Sequence, residues 1–209
     1  MGADVTSQYD NAPMVGVPFM FPLMLNITNL PIMLIGGGEL PSRIAMLEEY
    51  AACNIHVFSP TTTDGLNQAA GLKLYNYWPV QEDFKRISPR LVFIMDFEFQ
   101  RASEIREWAK NVGALVHVHD RITLCDFHLP ARVRRGHLQV TVSTDGTVAG
   151  LSRLIREFLE KDIFGPEWSG RVHELATQRL KWKKEGLSFE SLSLAIREFV
   201  SERGWLKRD

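Results

Sequence analysis

The sequence has few of the features that mark a secreted or nucleic-acid-binding protein. It has only two cysteines among 209 residues, Cys53 and Cys125, and neither belongs to a C-x-x-C motif. We therefore expect buried thiols in a reducing compartment, without disulfides or a zinc site. Its 24 Lys and Arg are balanced by 25 Asp and Glu, so no basic excess favours nucleic acid as a partner.

The chain also has no hydrophobic run that is long enough to span a bilayer. The apolar stretch at residues 15–25 contains Pro18 and Pro22 and is shorter than the ~20 residues that a span needs. No Lys or Arg precedes it, which argues against a signal peptide. We expect a cytoplasmic protein with no membrane partner, in which residues 1–16 form a flexible tail.

What the sequence does contain is a regular succession of apolar segments. Residues 31–35 are a continuous apolar run, as in a strand buried on both faces of a parallel sheet. Apolar residues at helical spacing follow, and residues 54–58 form the next strand, which completes a βαβ unit. Strands at 72–75, 90–95 and 114–118 and a helix at 103–112 continue the alternation. The pattern predicts an α/β fold with a doubly wound parallel sheet.

The pattern changes after about residue 120. Residues 138–143 alternate apolar with polar, as in a strand with one wet face. From Gly150 onward the spacing is helical and predicts three helices, separated by Gly165-Pro166 and by Gly186. Their apolar stripes are Leu151, Leu154, Ile155, Phe158 and Leu159; Val172, Leu175 and Leu180; and Leu192, Ala195, Ile196, Phe199 and Val200.

Three consecutive glycines, Gly36, Gly37 and Gly38, join the first predicted strand to the first predicted helix. The pattern Gly36-x-Gly38-x-x-Pro41 is close to the dinucleotide fingerprint G-x-G-x-x-G/A. In that fingerprint the first glycine permits a tight turn and the second lets the backbone approach a pyrophosphate at the helix N-terminus. Because the glycines lie between a strand and a helix, we favour a phosphate site over the alternative of a plain glycine turn.

The acidic residue that usually binds the adenosine ribose, about 20 residues further on, is missing. The second strand ends instead at Phe58, and Ser59, Pro60 and Thr61 follow. Hydroxyl groups at this place suit either a ribose or a 2′-phosphate, so the choice between NAD and NADP stays open.

His117, His119 and Asp120 lie at the end of a predicted buried strand. Ligands of open α/β sheets bind outside the carboxyl ends of the strands, which makes Asp120 an acid/base candidate. The two histidines alternate onto one face and are compatible with a metal pair. We favour ordinary strand histidines and assign no metal ligand.

Several ordered segments match one family pattern. Residues 21–27 and 34–39, followed by Arg43, are similar to a P-L-F-x-x-L lead into V-G-G-G with a nearby Arg, and residues 116–120 are similar to N-V-V-D. Residues 127–156 follow F-x-x-P-A-x-x-x-R-G-x-L-x-V-x-I-S-T-x-G…L-A-R-x-x-R with consistent spacing. Over residues 17–162 the chain resembles the precorrin-2 dehydrogenase/sirohydrochlorin ferrochelatase family, the N-terminal part of sirohaem synthase.

The resemblance implies a Rossmann NAD-binding domain at residues 17–119, a strand-containing dimerisation segment at 120–149 and a helical domain at 150–209. It implies a homodimer that uses NAD to oxidise the tetrapyrrole precorrin-2 to sirohydrochlorin. Some family members also insert ferrous iron, which is then a substrate. Asp120 matches the catalytic Asp. The resemblance implies cofactor contacts at Gly38, Glu39, Leu40, Pro60 and Thr61 and substrate contacts at Ser143, Thr144 and Gly146. With the glycine turn and the neighbouring loops, the predicted cofactor-binding residues also include Gly36, Gly37, Ser59 and Asp96.

The chain departs from the family pattern beside the predicted cofactor site. After the fourth strand the family commonly has a small residue and then Thr or Asn, whereas this chain has Met95, Asp96 and Phe97. Ile44 stands where the family commonly has Lys, and His117 where it has Asn. Three alternatives stay open: a divergent enzyme, a non-catalytic tetrapyrrole- or dinucleotide-binding sensor or carrier, and a different NAD(P) oxidoreductase on the same scaffold.

Overall fold

The computed structural model describes residues 19–61 and 72–206. The chain divides between Leu129 and Pro130 into two compact units, and each is described by itself. The predicted flexible tail, residues 1–16, lies outside the described residues, and the predicted three-part division stays a prediction.

The first unit is built on a five-stranded parallel sheet in the order β3-β2-β1-β4-β5. The three central strands β1 (Ile32–Ile35), β2 (Ile55–Phe58) and β4 (Leu91–Ile94) are buried at every residue, as their unbroken apolar runs predict. The edge strands β3 (Leu72–Tyr75) and β5 (Leu115–Val118) are partly exposed. This is the strand order of a Rossmann fold, so the predicted fold class is confirmed.

Helices cover both faces of this sheet. Helix α1 (Leu40–Glu48) packs Leu40 and Leu47 against one face, and α2 (Gln81–Ile87) and α3 (Phe99–Asn111) pack Phe84 and Ile105 against the other. Helix α3 begins at Phe99, earlier than the predicted start at residue 103. The pattern gave no sign of α2, because Phe84 is its only buried apolar residue.

The second unit consists of a hairpin and three helices. Strands β6 (Ala131–Arg135) and β7 (Leu138–Val142) are antiparallel, and α4 (Ala149–Phe158), α5 (Trp168–Lys184) and α6 (Phe189–Glu202) follow. A π-helical turn, Leu159–Ile163, continues α4. The three predicted helices are confirmed. Among all the described helices, none is both long and apolar enough to cross a membrane.

The expectation of buried thiols is wrong for Cys53, and Cys125 is only partly buried. Cys53 is exposed, because it lies in the loop between α1 and β2, where its thiol donates to the carbonyl oxygen of Thr28 at 2.8 Å. The predicted apolar residues of α4 share one face of the helix, but this face is not buried within the single chain. Leu154 is 64% exposed and Phe158 is 55% exposed. Periodicity shows that residues share a face and does not show what covers that face.

Candidate functional site

The glycine turn (residues 36–38) lies where the strand order reverses, between β1 and β4. Gly36 is buried and has φ +156°, and a Cβ atom there would lie 2.8 Å from the carbonyl oxygen of Met95 and 2.9 Å from its Cβ. Only glycine fits such a close approach of two backbones. The crevice at such a reversal is where open α/β sheets bind their ligands.

The other two glycines are less buried than Gly36. Gly38 is exposed, and a Cβ atom there would meet nothing within 4 Å, so there is open space beside the turn. The N–H of Gly37 donates to a carboxylate oxygen of Asp96 at 3.1 Å. Helix α1 begins directly after the turn, and its N-terminus is a favourable place for an anion.

The two residues that follow the turn have different environments. Glu39 is exposed, and its carbonyl oxygen accepts a hydrogen bond from the Ser42 hydroxyl at 2.9 Å. Leu40 has a fully buried side chain in the core, and its N–H donates to the carbonyl oxygen of Gly37 at 3.1 Å. The side chain of Leu40 therefore anchors the start of α1 beneath the turn.

These residues fit the phosphate end of a dinucleotide. Three features suit a pyrophosphate: the strand–turn–helix arrangement, the glycine that the close approach of Met95 requires, and the open space at Gly38. One feature opposes it, since the carboxylate of Asp96 already accepts a hydrogen bond from a backbone N–H of the turn.

The segment after β4 holds Asp96 at the turn. Asp96 has φ +62°, a left-handed conformation that Asp adopts more readily than most residues, and its side chain is exposed. Met95 before it is buried, and the ring of Phe97 after it lies 4.8 Å from the ring of Trp78 in an edge-to-face contact. Trp78 follows β3, so residues from two loops meet on this edge of the sheet.

The loop after β2 holds the predicted adenosine-side residues. Ser59 is buried, and its hydroxyl lies 3.1 Å from the carbonyl oxygen of Thr61 and 3.2 Å from the Thr61 hydroxyl. Pro60 and Thr61 are exposed. The hydroxyl of Ser59 thus stabilises the loop. Residues 59–61 contain no carboxylate that would favour NAD over NADP.

Asp120 follows β5 at the same edge of the sheet. It has φ +55°, its side chain is 86% exposed, and its Oδ2 lies 3.4 Å from Nε2 of His119. Strand register pairs Ile35 with Ile94, and Ile94 with Val118. Gly37, Asp96 and Asp120 stand two residues beyond these strand ends, so all three follow adjacent strands at the same edge of the sheet. An exposed carboxylate here can accept a proton from a bound molecule.

His117 packs its side chain inside the first unit. Its Nδ1 lies 3.1 Å from the carbonyl oxygen of Phe127, and its ring packs beside Phe93 and Phe127. Burial is the main cause that lowers its pKa to about 4, so the ring is neutral at pH 7. Within residues 19–61 and 72–206, no group of three or more His, Cys, Asp or Glu is placed to hold a metal ion.

The predicted substrate residues lie in the second unit, in the turn that precedes α4. The hydroxyl of Thr144 accepts from the N–H of Val148 at 3.2 Å and pairs with the hydroxyl of Ser152 at 3.1 Å. The hydroxyl of Ser143 accepts from the N–H of Asp145 at 3.1 Å, and Gly146 has φ +82°. These contacts hold the start of α4, and Ser143 and Gly146 are exposed.

Sequence reasoning missed the contacts that Met95 and Trp78 make at this edge. The sequence shows Met95 only as a departure from the family pattern. Tyr75 at the end of a predicted strand, and Tyr77 and Trp78 directly after it, are a signal that this loop is anchored to its neighbours.

A parallel sheet with a glycine turn at its strand reversal defines a protein of the Rossmann dinucleotide-binding class. The family model described as "Putative NAD(P)-binding" matches residues 23–131. The chain belongs to this NAD(P)-binding family.

The similar curated proteins are siroheme synthases. That of Psychrobacter sp. (strain PRwf-1) is 29% identical over 157 residues, which cover 75% of this chain and 32% of the relative. That of Nitrosomonas europaea is 33% identical over 162 residues, 75% of this chain and 33% of the relative. The chain therefore matches about a third of the length of these relatives. They confirm the resemblance to sirohaem synthase, and their identities fit a divergent member.

A solved structure, "SirC, precorrin-2 dehydrogenase", has the same fold. It superposes with a TM-score of 0.71 at 20% identity and covers 87% of this chain and 89% of its own. At this identity the likeness concerns the fold alone.

Proposed function

We propose that this protein is an NAD-dependent oxidoreductase of sirohaem biosynthesis that oxidises precorrin-2 to sirohydrochlorin. The observation that carries the proposal is that the glycine turn and the exposed carboxylate of Asp120 both follow strand ends at one edge of the sheet. The siroheme synthase relatives support the choice of substrate.

In this proposal the glycine turn and the residues after β2 hold the cofactor. The backbone of Gly36, Gly37 and Gly38 and the start of α1 hold the pyrophosphate, and Thr61 lies at the adenosine side. NAD, when bound, supplies the acceptor for the hydride. Asp96 lies at the nicotinamide side and has to give up its contact with the turn.

Asp120 is the proposed general base. Oxidation of precorrin-2 removes a hydride and a proton, and the Asp120 carboxylate accepts the proton while the hydride passes to NAD. The side chain is well placed for this role because it is exposed, and its Oδ2 lies 3.4 Å from Nε2 of His119. Ser143, Thr144 and Gly146 are proposed to line the tetrapyrrole site through the surface of their turn.

Sirohydrochlorin formation from purified precorrin-2 and NAD tests the proposal directly. We expect the sirohydrochlorin absorbance to appear, and to appear far more slowly with Asp120→Ala at unchanged NAD affinity. Folded protein that binds NAD but yields no product would contradict the proposed reaction. Titration with NAD and NADP in parallel identifies the cofactor.

Iron insertion is a finer part of the proposal. Metal insertion strips protons from pyrrole nitrogens, and the same Asp120 carboxylate is the proposed acceptor. Sirohydrochlorin and ferrous iron, supplied without NAD, should then give sirohaem with the wild type and not with Asp120→Ala. Formation of sirohaem at the rate of the protein-free reaction would limit the chain to the dehydrogenase step.

A homodimer is the proposed assembly. Helix α4 exposes a stripe of Leu151, Leu154, Ile155 and Phe158 on the single chain, which is a costly arrangement in water. A second copy of this chain is the proposed cover, and the dimerisation segment that the resemblance implies, residues 120–149, ends where this helix begins.

The contact between Asp96 and the N–H of Gly37 favours a second candidate, a non-catalytic tetrapyrrole-binding sensor or carrier. A carboxylate at the turn weakens a dinucleotide site without affecting a tetrapyrrole site elsewhere. This candidate predicts sirohydrochlorin binding without turnover and with no measurable NAD affinity. Turnover that Asp120→Ala removes would count against it.

A further inference from the structure

We propose that Asp96 is an affinity-determining residue: its carboxylate occupies the phosphate-binding N–H of the glycine turn and must leave before a dinucleotide pyrophosphate binds. The inference rests on the proposed cofactor site and deepens it. It assigns to this chain an internal anion that competes with the cofactor.

The competition follows from a single contact. The N–H of Gly37 donates to Oδ2 of Asp96 at 3.1 Å, and the same carboxylate oxygen would lie only 3.5 Å from a Cβ atom on Gly37. Charged acceptors form stronger hydrogen bonds with backbone N–H groups than neutral acceptors do. A pyrophosphate needs the same N–H and carries the same sign of charge, so the two anions repel each other at close range.

The backbone keeps Asp96 in place while its side chain can leave. Met95 on one side is buried against Gly36, and Phe97 on the other side packs against Trp78 and the core. These anchors hold Asp96 at φ +62° beside the turn. Its side chain is exposed, so it can rotate into solvent without disturbing the core.

The test is calorimetric titration of the full chain with NAD, ADP and adenosine. Asp96→Asn keeps the shape of the side chain and removes its charge, and we expect about tenfold tighter binding of NAD and of ADP, which is about 1.4 kcal/mol. Adenosine lacks the pyrophosphate, and its affinity should not change. Asp96→Ser is a second variant that removes the carboxylate, and it should show the same gain.

Glu98→Gln is the matched control. Glu98 is exposed, lies two residues from Asp96, and its side chain makes no capping hydrogen bond to α3. The control removes the same charge from the same loop without touching the turn, and its NAD affinity should stay within about twofold of wild type, since charges in solvent are screened.

Each result decides the matter. A gain that is confined to the Asp96 variants and to pyrophosphate-bearing ligands supports the inference. An equal gain with Glu98→Gln, an equal gain for adenosine, or a loss of NAD affinity in Asp96→Asn would overturn it. If wild type binds NAD and Asp96→Asn is unchanged, only this inference fails. If neither binds NAD, the proposed cofactor site fails with it.

Discussion

Replacement of Gly36 by Ala should destabilise the first unit, whereas Gly38→Ala should leave it intact. The added Cβ at position 36 would lie 2.8 Å from the carbonyl oxygen of Met95 and 2.9 Å from its Cβ, both inside van der Waals contact. The same methyl group at position 38 would meet nothing within 4 Å. The two substitutions are chemically identical and lie two residues apart in one turn.

The expected size follows from the space that is missing. Extra atoms in a packed interior cost about 1–3 kcal/mol, and a side chain at the φ of +156° adds strain of about 1–3 kcal/mol. A total of roughly 2–6 kcal/mol is a large part of the ~5–15 kcal/mol that holds a typical domain together. For a protein of this size it corresponds to a fall in Tm of roughly 4–24 °C.

Differential scanning calorimetry of wild type, Gly36→Ala and Gly38→Ala measures this difference. We expect Gly38→Ala to melt within about 1 °C of wild type and to bind NAD more weakly, because its methyl group fills the proposed pyrophosphate space. Equal melting temperatures for Gly36→Ala and wild type would refute the argument, since they would mean that the β1 and β4 backbones are free to separate.

Three further predictions concern other parts of the chain. Asp120→Asn should lower turnover by about 10²–10⁴-fold with an unchanged melting curve, because the side chain is 86% exposed; a rate within tenfold of wild type would exclude the general-base role. Burial lowers the pKa of both His56 and His117 to about 4 in the folded state. The unfolded chain therefore binds more protons between about pH 6.5 and pH 4, and the free energy of unfolding should fall as the pH is lowered through this range, by up to about 3 kcal/mol per histidine. Urea midpoints at pH 7 and pH 4.5 measure this fall in the free energy of unfolding, and the fall should be smaller in His117→Phe. A fall of the same size in His117→Phe and in wild type would contradict the assignment. Leu154→Glu should convert the proposed dimer to a 23.8 kDa monomer in sedimentation velocity, whereas Arg153→Gln on the same helix should not; a dimer in both would place the interface elsewhere.

The central sheet could be predicted because its strands are buried on both faces. A strand such as β1 must then be apolar at every residue, and such a run is visible without any knowledge of its neighbours. β6 escaped prediction because three arginines stand among its five residues, Ala131–Arg135, and conceal the alternation. A hairpin strand such as β6 takes its stability from a partner strand that its own residue pattern does not reveal.

The sequence predicts which residues belong to the candidate site, but it does not predict which of them are in contact. The glycine turn and Asp120 could be located because each lies just beyond the carboxyl end of a predicted strand. The hydrogen bond from Gly37 to Asp96 joins residues 59 positions apart, and no periodicity connects such a pair. The sequence shows that Asp96 departs from the family pattern by placing a negative charge after β4. Only the register of β1 with β4 identifies the N–H group that donates to this carboxylate.

The close approach of Gly36 to Met95 has a consequence for motion. Gly36 lies so close to Met95 that a Cβ atom would not fit between them. The glycine turn and the segment after β4 should therefore open and close as one body. Amide hydrogens on both sides of the crevice should then exchange with solvent at correlated rates. A ligand that orders one loop should slow exchange in the other, even where it makes no contact.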